Sequence, residues 1–477
     1  MNLDKKIIAS LGVNKVEDKR KTLDLLEGKI GKTFILLAIP ILMAMLMQTF
    51  FNIVDTYFVS RLGTDAIAAM GLTFPIFMLS ISLGSGVSIG ISSLIARNIG
   101  AGEREKSFLA AANGLLLAVA MGLFFFVFGI TIVNPMLRFI GAEGEVFRMA
   151  KIYIMIIAMT MPIKFLLAAI DGIFRGEGKT QLSMVALISS SVVNIILDPL
   201  LIFGIGPFPR LEVAGAAIAT AIAWTVGVSI GILFILKNKS SIILKSYHFR
   251  WKWEYIRNVL AVGLPSSVAQ GAIAFTMVFI NKFAMDFSQE AVAAYALGFR
   301  IDSITILPGV AFGGATIAML GQNFGAKNYY RVEGIFRKAT VYAVVVMGGL
   351  AVLVWIFPKP LLMIFLEDSG DGISEVLRQG TSYLRIMALS YIFIGMGMVS
   401  NASFQAIGRG IPTFITTAIR FFILAIPLSY TLAYLFKLET IGIWLGLSIS
   451  NIFFGFVSRY WFLYFFSKRY GCKKQLP

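Results

Sequence analysis

Twelve stretches of about twenty residues or more carry almost no charge, and nothing else in the sequence restricts the fold as strongly. At 1.5 Å per residue, such a stretch wound as a helix crosses a ~30 Å hydrocarbon layer. A helix also satisfies every backbone N–H and C=O group internally, which an isolated strand in lipid cannot do. The runs lie near residues 33–54, 66–93, 107–133, 151–174, 182–204 and 213–236, then 258–284, 290–318, 334–357, 379–402, 411–436 and 440–464. The chain therefore reads as an all-α polytopic membrane protein. Its 477 residues are 58% hydrophobic and 14% charged, against about 25% charged in soluble domains. His248 and Cys472 are the only residues of their kinds. Zinc clusters, thiol catalysis, an internal disulfide and a Ser-His-Asp triad thus lose their usual parts, and no cofactor is expected.

The formal charge of +17 has no folded basic domain to carry nucleic-acid binding; it sorts by side of the membrane instead. With the N-terminus inside, 29 Lys and Arg fall in inner segments, 9 in outer segments and 4 within spans, namely Lys164, Arg300, Arg385 and Arg420. The bias predicts both termini in the cytoplasm. Residues 1–32 form a polar cytoplasmic segment without the apolar core of a signal peptide. A six-helix bundle over 33–236 follows, then a basic linker at 237–257 whose Trp251 and Trp253 suit the interface, a second bundle over 258–464 and a tail over 465–477.

The two bundles repeat. At an offset of 225, Pro40 meets Pro265, Ala66-Ile67-Ala68-Ala69 meets Ala291-Val292-Ala293-Ala294, and Asn98-Ile99-Gly100-Ala101 meets Asn323-Phe324-Gly325-Ala326. At 230, Phe174 meets Phe404 and Gly178 meets Gly408. An even number of spans per copy makes the copies parallel, related by an axis along the membrane normal, an arrangement that in transporters leaves the substrate path between the halves.

Carboxylates within spans are expensive and so are site candidates. Asp55 sits near the outer end of the first span, Asp198 in the outer half of the fifth, and Thr220 about 10 Å below the outer face on the sixth. Asn194 and Asp198, spaced i, i+4, share a helix face with Ser191 one turn earlier. The repeat partners of Asp55 and Asp198 are Ile280 and Leu428, so the pair belongs to one half, as an ion site can and a fold-wide structural element would not. The competing readings make Asp55 a helix-end group near Arg61 and give Asp198 the kink before Pro199. Asp171 reads as a local pair with Arg175. Arg300, Asp302 and Arg420 fit structural pairing as well as substrate contact.

The runs Asn52-Ile53-Val54-Asp55-Thr56-Tyr57-Phe58-Val59-Ser60-Arg61-Leu62-Gly63, Ala96-Arg97-Asn98-Ile99-Gly100-Ala101-Gly102, Asn194-Ile195-Ile196-Leu197-Asp198-Pro199, Gly215-Ala216-Ala217-Ile218-Ala219-Thr220 and Gly321-Gln322-Asn323-Phe324-Gly325-Ala326 resemble the multidrug and toxic compound extrusion (MATE) family, in order and over nearly the whole chain from Leu26. The resemblance implies a V-shaped, pseudo-two-fold pair of bundles in a prokaryotic inner membrane, acting as a monomer that exchanges small organic, often cationic, substrates for H⁺ or Na⁺. Asp55, Asn194, Asp198 and Thr220 look like the cation site of the DinF-like branch, with Na⁺ as a possible ligand of the same four. Gln48, Pro40, Ser191 and Tyr153 are expected in the substrate cavity or its conformational switch. The C-terminal carboxylates of the NorM-like branch have no counterpart here unless Asp302 takes that part. Two alternatives remain on the residues alone: a flippase for a lipid-linked saccharide, which would want more basic groups in the cavity, and an intramembrane aspartyl enzyme, which does not explain the repeat.

Overall fold

The computed structural model describes residues 24–366 and 372–471. Among these, twelve helices are long and apolar enough to cross a membrane: α1 (Ile30–Ser60), α2 (Thr64–Gly100), α3 (Arg104–Phe139), α4 (Gly144–Glu177), α5 (Thr180–Phe203), α6 (Glu212–Leu236), α7 (Trp253–Met285), α8 (Gln289–Gly325), α9 (Tyr329–Ile356), α10 (Ile373–Ala406), α11 (Ile411–Leu435) and α12 (Glu439–Tyr470). Every expected span is present. Most run past the uncharged stretch, because a helix continues through the polar interfacial layer at no hydrogen-bonding cost. One break was not foreseen: α8 steps at Ile306 between Gln289–Thr305 and Leu307–Gly325, where Pro308 has no N–H to give to the preceding turn. Cys472 and the first 23 residues of the polar N-terminal segment lie outside the described residues.

The repeat reappears as backbone geometry. Gly102 between α2 and α3 and Lys327 between α8 and α9 are separated by the same 225 residues, and both are left-handed, at φ 74° and 58°. The flanking bonds match: Gly102 N–H to Ile99 C=O and Glu103 N–H to Asn98 C=O, against Lys327 N–H to Phe324 C=O and Asn328 N–H to Asn323 C=O. Gly178 and Gly408, at φ 78° and 83°, close α4 and α10 with another matched pair of bonds. Three of these four caps use glycine, which avoids the Cβ clash of a left-handed residue, while Lys327 takes the same conformation with a side chain.

The halves meet along α1, α2, α7 and α8. Small residues carry this seam, as they do where membrane helices approach closely. A Cβ on Gly86 would collide with Gly263 C=O, one on Gly100 with Gln322 C=O, and one on Gly325 with Arg97 C=O. The last two are repeat equivalents and contact each other's helices reciprocally. Side chains latch the same end: Gln322 Nε2 donates to Gly176 C=O at 3.1 Å, Arg97 Nη1 to Ile407 C=O at 3.4 Å, and Ser93 Oγ to Gln405 C=O at 2.5 Å. Toward the opposite end, Ser82 Oγ donates to Ser267 C=O at 2.5 Å. The halves are thus latched at the end where α1 begins and α12 finishes.

Candidate functional site

Helix α1 runs unbroken from Ile30 to Ser60 with Pro40 buried inside it, and its far end brings Asp55 against α5. There Asp198 is fully buried and Asn194 nearly so, while Asp55 is half-buried. The carboxyl groups of Asp55 and Asp198 lie within hydrogen-bonding reach of each other. Helix α6 packs on α5 and supplies Thr220, whose Oγ1 accepts from Asn194 Nδ2 at 3.2 Å. Tyr153 of α4 is buried beside the two aspartates. Gln48, Ser191, Asn194, Thr220 and Trp224 line one cavity; the Ser191 hydroxyl itself turns back to donate to Leu187 C=O at 3.1 Å. Pro40 lies about four turns below Asp55 on the same helix, away from this cluster.

The decisive property of the cluster is what it lacks. Asp55 Oδ1, Asn194 Oδ1 and both carboxylate oxygens of Asp198 are buried with no donor. Buried acceptors are nearly always paired, and each orphan costs about 1–3 kcal/mol. With Asp55 and Asn194 both beside Asp198, such a grouping of acceptors is suited to a positive charge, whether a shared proton or an oxygen-liganded cation.

The other buried aspartates are satisfied. Asp171 accepts from Ser88 Oγ at 2.8 Å, from Arg175 Nε at 2.8 Å and from Ser183 Oγ. The local pair with Arg175 is therefore real, and two serines complete it. Asp302 accepts from Tyr383 OH at 2.6 Å and from Tyr391 OH. It does not pair with Arg300, which is exposed; the tyrosines stand on α10, too far along the chain for sequence spacing to connect them. Arg420 donates to Asn451 Oδ1 at 2.8 Å and lies over Phe421 and Phe454. Arg61 donates to Tyr57 OH rather than to Asp55, so the helix-end account of Asp55 has no partner.

Lys164 was visible in the sequence only as a charge inside a span. Its Nζ donates to Ser80 Oγ at 2.5 Å and sits 4.4 Å from the Phe77 ring centroid and 5.2 Å from that of Trp224. No carboxylate pairs with it among the described residues. Trp224 also lines the cavity of Asn194 and Thr220, so one indole touches both that cavity and the Lys164 ammonium.

The family model described as MatE matches the chain twice, over residues 40–200 and 265–431. The "FAD transporter" of Shewanella oneidensis is 27% identical over 91% of this chain and 95% of its own. The "Probable multidrug resistance protein YoeA" of Bacillus subtilis is 26% identical over 87% of this chain and 90% of its own. A crystal structure of MATE in complex with MaL6 superposes with a TM-score of 0.89 at 28% identity, covering 94% of this chain and 99% of that one.

Proposed function

This chain belongs to the MATE family, and on that premise we propose that it is a cation-coupled antiporter that expels organic compounds, with Asp55 and Asp198 as its coupling pair. Its relatives are membrane transporters and not enzymes, which disposes of the aspartyl-enzyme alternative. The observation that carries the reading is the set of four donor-less buried oxygens on Asp55, Asn194 and Asp198. Asp302 and Asp171 are satisfied by their hydrogen bonds, which favours coupling in the N-terminal half, as the DinF-like resemblance implies.

The proposed cycle follows from the geometry. The latched end carries the start of α1 and the end of α12, and the Lys and Arg excess favours the cytoplasmic side for it, so on this reading the site loads from outside. A proton shared by Asp55 and Asp198 supplies the missing donor and removes charge; Na⁺ instead takes the same oxygens as ligands. Either way α1 is drawn onto α5. Pro40 leaves one helical hydrogen bond unmade, so α1 can bend below the site and narrow the cavity that Gln48 shares with Asn194 and Thr220. Substrate leaves outward, and the cation leaves inward once the latch has exchanged ends.

The test is efflux of a fluorescent organic cation from proteoliposomes under an imposed proton or Na⁺ gradient, for the unaltered chain and for Asp55→Asn and Asp198→Asn. Transport driven by one gradient and lost in both variants supports the reading and names the ion. Gradient-driven transport retained by either variant overturns it.

One observation favours a second substrate class. The Lys164 ammonium lies over Trp224, a residue of the cavity wall, and the Shewanella relative carries the name FAD transporter. An aromatic substrate bearing a phosphate or carboxylate would stack on Phe77 or Trp224 and meet the ammonium. A lipid-linked pyrophosphate would want several such cations, and Lys164 is one.

A further inference from the structure

The basic linker is not a loose tether. Residues 237–252 contain Lys237, Lys239, Lys245, Arg250 and Lys252 and no carboxylate, yet they are fastened down at three points. Glu177 at the end of α4 accepts from Ser240 Oγ at 2.5 Å and from Ser241 N–H at 2.6 Å. His248 is fully buried; its Nδ1 accepts from Lys245 N–H at 3.0 Å, and its Nε2 meets Glu105 of α3 at 2.9 Å. Asn113 Oδ1 accepts from Lys252 N–H at 2.7 Å. The neighbouring carboxylates Glu177 and Glu105 are thereby engaged, whereas Lys237, Lys239, Lys245 and Arg250 are exposed and have no ion-pair partner among the described residues.

Beneath this strap lies an apolar groove of about 460 Å³. Leu116 and Val119 of α3, Ile170 of α4 and Ile235 of α6 form its walls, and Ile243 and Phe249 of the linker form its roof. None of the cleft helices α1, α2, α7 and α8 contributes, so it is separate from the cation site. Asn238 is the polar group at its mouth, flanked by Lys237 and Lys239. Trp251 and Trp253 are exposed just beyond it, as side chains at a headgroup layer are.

We propose that this groove is a binding site for an anionic phospholipid, one acyl chain lying between α3, α4 and α6 and the headgroup phosphate resting on Lys237, Lys239 and Lys245. The occupant is fixed by complementarity: an apolar slot at membrane depth continues directly into exposed cations that no side chain neutralises. A neutral lipid fits the slot but leaves the lysines unmatched, and a soluble anion meets the lysines but leaves the slot empty.

The experiment is native mass spectrometry of the full chain released from mixed micelles holding equal amounts of phosphatidylglycerol and phosphatidylcholine with identical chains. The unaltered chain should retain one phosphatidylglycerol in preference. Replacing Lys237, Lys239 and Lys245 by Gln should weaken that retention roughly five-fold per charge removed, while replacing the same three by Arg should keep it. Leu116→Trp fills the slot and should lower retention of both lipids. Equal retention of the two lipids by the unaltered chain overturns the proposal, as does a preference that survives the Lys-to-Gln changes. If the Gln variant fails to fold, the Arg and Leu116→Trp variants decide: preference kept in the first and retention lost in the second supports the site, and any other pairing overturns it.

Discussion

Asp198→Asn is expected to stabilise the protein in the absence of coupling cation, the reverse of what removing a buried charged group does elsewhere in the same chain. Both carboxylate oxygens of Asp198 are buried without donors, and Asp55 Oδ1 and Asn194 Oδ1 beside them are orphaned as well. An amide brings two N–H donors into that group of acceptors. At about 1 kcal/mol net for each hydrogen bond formed, the gain is about 1–2 kcal/mol, or roughly 2–8 °C in melting temperature for a unit the size of one half. The unaltered chain should recover that deficit when its cation is added, since a ligand at 100 times its Kd contributes about 2.7 kcal/mol; the variant should not respond. Thermal unfolding followed by tryptophan fluorescence, at high and low Na⁺ and over a series of pH values, reads both quantities. Asp302→Asn is the control. Its carboxylate accepts from Tyr383 and Tyr391, so the amide sets a donor against a hydroxyl and should destabilise by about 1–3 kcal/mol. A variant at Asp198 that melts below the cation-free unaltered chain, or that keeps its full cation response, refutes the idea that these oxygens are unpaired for a cation.

Gly100→Ala and Gly325→Ala each press a methyl group into a backbone carbonyl of the opposite half; each should destabilise the latched end by about 1–3 kcal/mol and raise the labelling rate of a cysteine placed at Ser93. Lys164→Gln should reduce export of an anionic aromatic substrate by roughly ten-fold or more, the worth of a charge-assisted hydrogen bond, and leave a cationic substrate nearly unaffected in a parallel efflux assay. Glu177→Ala frees the Ser240 hydroxyl and the Ser241 N–H, and limited proteolysis should then cut within 239–245 faster than in the unaltered chain.

The span count, the repeat and the buried polar residues that α1, α5 and α6 bring together were legible in the sequence, largely for one physical reason. In lipid the cost of a charge or a bare backbone group is so large that hydropathy alone marks the helices and every exception to it. Asp55, Asn194, Asp198 and Thr220 stood out as such exceptions, and helix depth was enough to align them. The features that escaped were pairings between helices. Nothing in the spacing of Asp302 points to Tyr383 and Tyr391, and nothing near Asp55 in the chain shows that Arg61 turns to Tyr57 instead. Lys164 announced itself as a buried charge, but its place between Phe77 and Trp224 depends on how α4 packs against α2 and α6. The linker read as a polar tether because lysines dominate its composition, whereas its anchors are two carboxylates, an amide and a lone histidine supplied largely from elsewhere.

A symmetric scaffold and a lopsided site suit one another. The latch is built from repeat-equivalent contacts, Gly100 on Gln322 and Gly325 on Arg97, so the seam itself is shared evenly between the halves. The Asp55–Asp198 cluster has no such twin, since Ile280 and Leu428 stand where its carboxylates would repeat. A ligand moves a two-state equilibrium only by its difference in affinity for the two states, and an ion bound equally in both halves of a symmetric molecule would have no direction to impose. Reversing a population from 1:99 to 99:1 takes about 5.5 kcal/mol. Four orphaned acceptors at about 1–3 kcal/mol each bracket that figure, provided they are relieved in one conformation and not in the other. Ile280 is fully buried, so a carboxylate moved there would be an unpaired charge costing several kcal/mol, and the second half could not hold a copy of the cluster without new partners for it.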